Sequence, residues 1–192
     1  EVLKSMSIRK VVKYGEPSLR EPSKEVHKVS RKITDLVQDL FDTMYTNNGV
    51  GLAAPQIGVN LRVYVIDAST KDNPMKPLVF INPKIIKKSG AIIEDEGCLS
   101  FPEAYTAVRR YKNVTVKALD INGRPFILEA TDGCLLARAI QHEYDHLDGI
   151  LFIDHCVNRF ETDSILQKHH LPPIEEDKLL IEPDLEEELE ND

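Results

Sequence analysis

Two histidines with a glutamate beside the first give this chain its clearest chemical signature. His142, Glu143 and His146 form an H-E-x-x-H pattern, and residues four apart on an α-helix lie one turn apart on the same face. Both imidazoles can therefore reach one ion, with the carboxylate beside it. Leu135 and Ala139, which lie earlier on the same helix, place these side chains on its apolar face. Such buried groups need partners. Hydrogen bonds to backbone carbonyls are one solution, but a divalent metal would satisfy all three side chains.

A catalytic metal site usually has three protein ligands and one open position, so a third ligand must come from elsewhere in the chain. The downstream candidates are His155, Glu161, His169 and His170. None of them completes the H-E-x-x-H-x-x-G-x-x-H spacing of one class of zinc proteases. The upstream candidate is Cys98, which follows a glycine at the end of a strand-like run, and a nearby dication would deprotonate its thiol. Because a lone cysteine is more often an inert core residue, the residue types alone leave the third ligand open.

A third stretch, G-V-G-L-A-A-P-Q-I-G at 49–58, consists mostly of small residues. Small residues allow the backbone to come close to another group. The simpler interpretation is a helix stop at Gly49 followed by a packed connection. A phosphate-binding loop is excluded, because the stretch lacks the Gly-Lys-Ser/Thr ending of such loops.

Two helices and several strands must position these residues. Apolar residues at helical spacing predict a helix from Ser30 that ends before Gly49. A second helix, which carries the two histidines, is expected from Thr131 or Asp132 to Leu147. Strands are expected at 61–66, 78–81, 85–86, 91–93, 114–118 and 125–130, with a hairpin turn at 122–123. This order favours an α+β fold, in which antiparallel sheets pack around a central metal-binding helix and a second, N-terminal helix completes the domain.

Composition and charge exclude several classes of protein. Of the 192 residues, 42% are hydrophobic and 29% are charged, as in an ordinary globular protein. No apolar run approaches the roughly 20 residues that span a bilayer, and the first thirty residues contain no apolar signal segment. Residues 175–192 carry ten carboxylates and one lysine, so the rest of the chain is nearly neutral and lacks the basic surplus that DNA binding needs. We therefore expect neither a membrane nor DNA as a partner, and a cytoplasmic location.

The length favours a single catalytic domain at 1–171, followed by an acidic extension at 172–192 that we expect to be partly mobile. Leu179, Leu180 and Ile181 are expected to dock weakly on the body before the acidic end. Three cysteines with irregular spacing argue against a disulfide framework and for a reducing compartment. Two of them are interpreted as inert core residues, namely Cys134 and Cys156.

The three chemical stretches, in this order, resemble the signature motifs of the peptide deformylases. They are G-V-G-L-A-A-P-Q at 49–56, E-G-C-L-S at 96–100 and Q-H-E-Y-D-H-L at 141–147. The resemblance runs from about Ile8 to Asp154 and does not include the acidic tail. It implies an enzyme that removes the formyl group from the formyl-methionine of N-formyl-methionyl nascent peptides and releases formate. It also implies action in the bacterial cytoplasm or, as the alternative, in an organellar stroma or matrix.

The resemblance assigns catalytic roles to single residues. It implies three metal ligands, which are Cys98, His142 and His146. Glu143 would be the general acid and base, and the Gln56 side chain would form an oxyanion hole with the backbone N–H of Leu99. The implied cofactor is one divalent ion, Fe2+ in the cell. Zn2+, Ni2+ or Co2+ is an alternative in a preparation, because a thiolate with two imidazoles suits ions of this kind.

The resemblance also implies how the substrate is bound. Gly51 and the neighbouring backbone are expected to pair with an extended peptide. The residues expected to border the methionine pocket are Val50, Glu96, Leu135 and Ala139. Many family members have arginine where this chain has Tyr105, so the contact between the pocket rim and the substrate is expected to differ. Some members end in a basic helix suited to ribosomal RNA, whereas this acidic tail would be repelled by phosphate. Any contact with the ribosome is therefore expected to be transient.

Two other functions fit the residue types. A zincin-like metallopeptidase that cuts internal peptide bonds would need a longer cleft and a third ligand other than Cys98. A non-enzymatic module would use the ion only to stabilise its fold, and Glu143 would then be dispensable. These two residues therefore separate the three hypotheses.

Overall fold

The computed structural model describes residues 7–180 of the chain. Its helices are α1 (Arg31–Thr46), α2 (Leu135–Leu147) and α3 (Arg159–Lys168). Its strands are β1 (Gly51–Ala53), β2 (Val63–Ile66), β3 (Leu78–Cys98), β4 (Phe101–Leu119) and β5 (Pro125–Ala130). Short 3-10 turns cover Pro17–Leu19, Ala54–Ile57, Phe152–His155 and Glu176–Lys178. The predicted α+β class is confirmed.

The five strands form one antiparallel sheet in the order β1-β2-β3-β4-β5, where the sequence suggested more than one. The segments predicted as separate strands at 78–81, 85–86 and 91–93 are parts of the single strand β3. The prediction divided this strand because charged residues such as Lys87 and Lys88 interrupt its apolar residues. They are tolerated because this part of β3 is mostly exposed to solvent. β3 and β4 form a long hairpin, and β4 begins well before the predicted residue 114.

Strand β2 shows why helices pack on both faces of the sheet. Successive side chains of a strand point to opposite faces. Val63 and Val65 join an apolar cluster with α1, whereas Tyr64 and Ile66 join another cluster with α2. All four side chains are fully buried. The apolar run in this part of the sequence therefore reflects burial on both faces.

Helix α1 has the predicted apolar face and starts after Ser30 as predicted, but it ends differently. Its buried apolar residues are Ile33, Leu36, Val37, Leu40 and Met44. The residue in the left-handed conformation after the helix is Asn48, with φ +55°, and not Gly49. Asparagine tolerates this conformation. Gly49 instead makes a close approach, because a Cβ there would lie 2.8 Å from Leu99 Cδ1.

Helix α2 begins at Leu135, so the predicted start at Thr131 or Asp132 was wrong. Asp132 and Gly133 have φ values of +59° and +61°, which a right-handed helix does not allow. Cys134 then occupies the position that caps the helix and is exposed. Its assignment to the core was therefore also wrong.

A third apolar cluster joins the N-terminal segment, α3 and residues 172–180. Helix α3 was not predicted, because only two of its side chains are buried, those of Thr162 and Leu166. Ile174 is buried in this cluster and Leu179 packs against it. The N–H of Leu180 donates to the carbonyl oxygen of Asp154 over 2.9 Å. The first residues after 171 thus contact the body of the protein, including the two leucines expected to dock.

Part of the predicted extension lies outside the described residues. Ile181 and the acidic residues after it are not described, so the mobility expected for them stays a prediction. The division at residue 171 between a domain and an extension stays a prediction as well. Within residues 7–180, no helix has both the length and the apolar character needed to cross a membrane.

Candidate metal centre

Helix α2 holds both histidines of the H-E-x-x-H pattern on its inward side. The rings of His142 and His146 have their centroids 5.1 Å apart, one helical turn from each other. His146 is 1% exposed and Glu143 is 4% exposed. Of the apolar positions earlier on this helix, Ala139 and Ile140 are buried as well, whereas Leu135 is 36% exposed.

Cys98 is brought to these histidines by the end of β3. The pairing of β3 with β4 shifts register between Gly97 and Cys98, just before a tight turn into β4. The Sγ atom of Cys98 lies 3.5 Å from Nε2 of His146. One ligand atom from each of Cys98, His142 and His146 lies within 4.8 Å of the other two. Across residues 7–180, no other set of three or more His, Cys, Asp or Glu side chains comes together in this way.

The geometry of these three side chains fits a divalent ion. A thiolate at about 2.3 Å and an imidazole at about 2.05 Å from a tetrahedral ion would lie about 3.6 Å apart, close to the 3.5 Å observed between Cys98 and His146. In addition, the Oε2 atom of Glu143 is buried without a hydrogen-bond partner among the described residues. An ion with a bound water would supply a partner for this oxygen.

Behind the histidines lies a network of buried charges. Oε2 of Glu96 is 3.0 Å from Nδ1 of His142, and Arg110 donates to both oxygens of Glu96 over 2.9 and 3.0 Å. Arg110 also donates to Asp145 over 2.5 Å. Burial alone would raise the pKa of Glu96, but Arg110 and His142 together hold it well below its usual range. The carboxylate is therefore ionised and fixes the orientation of the His142 ring.

Glu143 has the environment of a proton-transfer group. Burial raises the pKa of its carboxyl group to about 7, although the neighbouring His142 opposes this shift. A carboxyl group with such a pKa can accept and release a proton near neutral pH. A positive ion nearby would lower this pKa.

Gln56 lies in the 3-10 turn that follows β1 and is 1% exposed. Its Oε1 accepts the N–H of Ala53 over 2.9 Å, which fixes the orientation of the amide group. Its Nε2 therefore points to the site, 3.3 Å from the Sγ of Cys98 and 3.2 Å from the Oγ of Ser100. Leu99 occupies the turn between β3 and β4, next to Cys98.

A cavity of about 470 Å³ opens beside these side chains, and we call it the site cavity. The sequence-predicted residues that line it are Val50, Gly51, Gln56, Glu96, Cys98, Leu99, Tyr105, Leu135, Ala139, His142 and Glu143. His146 is not in the lining and lies behind the others. Glu96 is at the wall of the cavity, but its carboxylate is bonded to His142 and Arg110.

Two glycines make close approaches at this cavity. A Cβ on Gly51 would lie 2.6 Å from Oε1 of Glu143, so β1 can pass the carboxylate only with glycine at this position. A Cβ on Gly97 would lie 2.4 Å from the ring of Tyr105. Tyr105 is 63% exposed and covers the backbone at Gly97 from the solvent side.

Neither Arg110 nor Asp145 was predicted from the sequence to support the site. Arg110 is 3% exposed, and no motif marks it. The one available signal is alternation: Ala104, Thr106 and Val108 are buried at every second position of β4, and Arg110 continues the series. Because the prediction began β4 at residue 114, this alternation was not used.

Comparison with known proteins identifies the family of this chain. Residues 8–161 match the family model described as polypeptide deformylase. A peptide deformylase of Acidobacterium capsulatum is 44% identical over 163 residues, which are 85% of this chain and 94% of that protein. One of Baumannia cicadellinicola is 50% identical over 150 residues, which are 78% of this chain and 87% of that protein. The crystal structure of a peptide deformylase from Synechococcus elongatus in complex with actinonin is 41% identical, with a TM-score of 0.81 over 90% of this chain and 95% of that one. This chain belongs to the polypeptide deformylase family.

Proposed function

We propose that this protein is a metal-dependent hydrolase that removes the formyl group from the formyl-methionine of newly synthesised proteins and releases formate. One observation carries the proposal. A thiol and two imidazoles, those of Cys98, His142 and His146, converge beside the buried carboxylate of Glu143. Family membership supports the same activity, because the related proteins are peptide deformylases.

The three converging side chains would hold one divalent ion. When bound, the ion would lower the pKa of a coordinated water from 15.7 to about 7 and polarise the formyl oxygen. A thiolate with two imidazoles suits Fe2+ and Zn2+. We assign Fe2+ to the protein in the cell and Zn2+, Ni2+ or Co2+ to preparations that have lost it.

Glu143 would move the proton in this reaction. It would take the proton of the attacking water and deliver it to the amine that leaves when the formyl C–N bond breaks. Its position beside Gly51 and its burial would keep the carboxylate close to the reacting atoms and away from bulk water.

Gln56 and Leu99 would stabilise the negative charge that develops on the formyl oxygen. Nε2 of Gln56 already points to the site, and the Leu99 backbone N–H lies in the adjacent turn. Each donor in an oxyanion hole contributes about 3 kcal/mol to the stability of the transition state.

The peptide part of the substrate would bind along β1. This strand lies at one edge of the sheet, so its outer side can pair with an extended chain near Gly51. The apolar side chains of Val50, Leu135 and Ala139 line the same cavity and would contact the methionine side chain. Tyr105 would border the substrate at the exposed rim.

The position of Cys98 argues against the zincin-like alternative. Such a peptidase would take its third ligand from the downstream candidates. Within the described residues, none of these joins the His142–His146 pair, and Nε2 of His155 lies instead 2.9 Å from Asp145. A non-enzymatic, metal-stabilised module would have no use for the oriented amide of Gln56 beside the pair.

The direct test measures formate released from formyl-Met-Ala together with anaerobic metal analysis of the same sample. We expect turnover in the original protein and none in Cys98→Ser, which would also lose metal. Glu143→Gln should nearly abolish turnover and keep its metal. Glu129→Gln is the matched control, because this glutamate is exposed on β5 and away from the site cavity. Turnover that survives in Cys98→Ser would contradict the proposal, and so would normal turnover in Glu143→Gln.

The proposed partners are N-formyl-methionyl nascent peptides, with a transient contact to the ribosome where these peptides emerge. We propose the bacterial cytoplasm as the place of action, since the related proteins reported above are bacterial; an organellar stroma or matrix is the alternative. Co-sedimentation of the protein with translating and with empty ribosomes would test the ribosome contact.

A further inference from the structure

A second cavity, of about 930 Å³, lies between the β3–β4 hairpin and another face of α2. Tyr144 and Asp145 line it, whereas His142 and Glu143 line the site cavity. The two cavities therefore lie on different sides of the same helix. We call the second one the basic groove.

The exposed charges of this groove are mainly positive. Lys87, Lys88 and Arg109 line it, and none of the three forms an ion pair with another residue of the described range 7–180. Lys88 Nζ lies 4.5 Å from the centroid of the Tyr111 ring, which holds this ammonium group at the groove. Arg110 and Asp145 also line the groove, but they are bonded to each other. An anionic group entering the groove would thus meet three cations that form no ion pair among the described residues, and one exposed carboxylate, that of Glu129.

The described part of the chain ends at this groove. Leu180 lines it and is 43% exposed. Its N–H donates to the carbonyl oxygen of Asp154 over 2.9 Å, so the last described residue is held at the groove. Any residue directly after Leu180 begins its path at the groove.

The segment that follows, residues 181–192, has complementary chemistry. It contains seven carboxylates and no lysine or arginine. Its apolar residues Ile181, Leu185 and Leu189 recur at every fourth position, and the groove also has apolar lining at Ile86 and Ile150. Twelve residues can extend to about 40 Å, whereas the part of β4 that lines the groove, 109–115, extends about 20 Å. The segment is long enough to follow the whole groove.

We propose that the acidic segment 181–192 docks in the basic groove of its own chain, with its carboxylates paired to Lys87, Lys88 and Arg109. Because the segment is tethered at Leu180, its effective concentration at the groove is high and weak ion pairs suffice. The docked segment would cover a positive surface that otherwise attracts phosphate or acidic peptides. This docking goes beyond the proposed hydrolysis and does not depend on it.

The first test measures how fast a Glu-specific protease cuts the full-length, metal-loaded protein after the glutamates of 181–192, read by mass spectrometry. Cleavage follows the undocked fraction when docking is fast. We expect a combined K87S, K88S and R109S variant to be cut about tenfold faster than the original protein. The matched control removes two lysines and one arginine beside and within α1, as K28S, R31S and K32S, and should be cut at the original rate. About 1 M NaCl should accelerate cleavage of the original protein, because salt screens exposed charges, and should leave the groove variant unchanged.

A second test locates the segment by NMR. In full-length protein, changing Glu186, Glu187 and Glu188 together to glutamine should shift the backbone amide signals of Lys87, Lys88 and Arg109. Equal cleavage rates in the original protein, the K87S, K88S, R109S variant and the K28S, R31S, K32S control would overturn the proposal. Amide shifts confined to residues 181–192 would overturn it as well. Protection that rises with protein concentration would assign the groove to the tail of a second copy. Groove signals that respond to an RNA oligonucleotide and not to the tail changes would assign it to phosphate. Both of these outcomes would overturn docking within one chain.

Discussion

Two cavities border α2 and the β3–β4 hairpin. The charged groups behind the site cavity are buried and paired, whereas three cations at the basic groove are exposed or partly exposed and form no ion pair among the described residues. Behind the wall of the site cavity, the Arg110 side chain is 3% exposed and pairs with Glu96 and Asp145. At the basic groove, Arg109 is partly exposed and has no ion pair among the described residues. The two arginines are adjacent in sequence and both line the groove, but Arg110 is buried between two carboxylates whereas Arg109 is partly exposed. The energetic weight of a charge in this protein therefore depends on burial, since a buried ion whose partner is lost keeps a desolvation cost that an exposed ion does not have.

The largest effect is expected for the buried arginine of this neighbouring pair. Arg110→Met leaves Glu96 and Asp145 buried without their cation and should lower the free energy of unfolding by about 3–5 kcal/mol. Arg109→Met should change it by less than about 0.5 kcal/mol. Urea unfolding of both metal-loaded variants measures the difference. Equal losses of unfolding free energy in the two variants would contradict the contrast between a buried and a partly exposed arginine.

The next effect concerns the amide of Gln56. Gln56→Glu keeps an oxygen that can accept the N–H of Ala53 but removes the Nε2 donor, so kcat for formyl-Met-Ala should fall on the order of 100-fold. Metal analysis of the same sample serves as the control, because the loss should appear with the metal still bound. A kcat within twofold of the original would remove Gln56 from the oxyanion hole.

A smaller effect is expected from the close approach of β1 to Glu143. Gly51→Ala would place a Cβ 2.6 Å from the carboxylate oxygen, and displacing that oxygen should lower kcat about tenfold or more. The same change should cost less in a Glu143→Asp background, since the shorter side chain leaves room. Equal factors in both backgrounds would show that the two residues do not interact.

The smallest effect belongs to the basic groove. Lys88→Met removes the ammonium group near the Tyr111 ring and should lower the free energy of unfolding by about 0.5–1 kcal/mol. Lys87→Met, which has no described ring contact, should change it by less than about 0.5 kcal/mol. Urea midpoints at equal slope distinguish the two variants. A loss at Lys88 as large as that at Arg110 would contradict the contrast between the cavities.

Local patterns were sufficient for much of the fold and part of the site. The 3.6-residue periodicity predicted α1 and the face of α2 that carries His142, Glu143 and His146, because helical neighbours are neighbours in sequence as well. Continuous apolar residues predicted β2 for a similar reason. The long hairpin was predicted only in pieces, because its exposed middle section, with residues such as Lys87, has no apolar alternation to mark it.

Contacts between segments that are distant in the sequence were harder to predict. The residue types left Cys98 as one of several candidates for the third position, and only the resemblance to the peptide deformylases singled it out. Arg110 was missed because its role depends on partners in β3 and α2, and the approach of Gly51 to Glu143 depends on how β1 packs against α2. Neither relation produces a pattern within one segment of sequence.

By itself, the sequence determined the chemistry: two imidazoles and a carboxylate on one helical face, a cysteine upstream, and an acidic tail. Local spacing sets these properties, because a helix fixes the directions of its own side chains. Only the tertiary structure decided that the Cys98 sulfur reaches His146, that Arg110 is buried with two carboxylates, and that Arg109 faces a groove where the described chain ends. These outcomes depend on strand register and on the packing of α2 against the sheet, where a shift of one residue would exchange the buried and exposed faces.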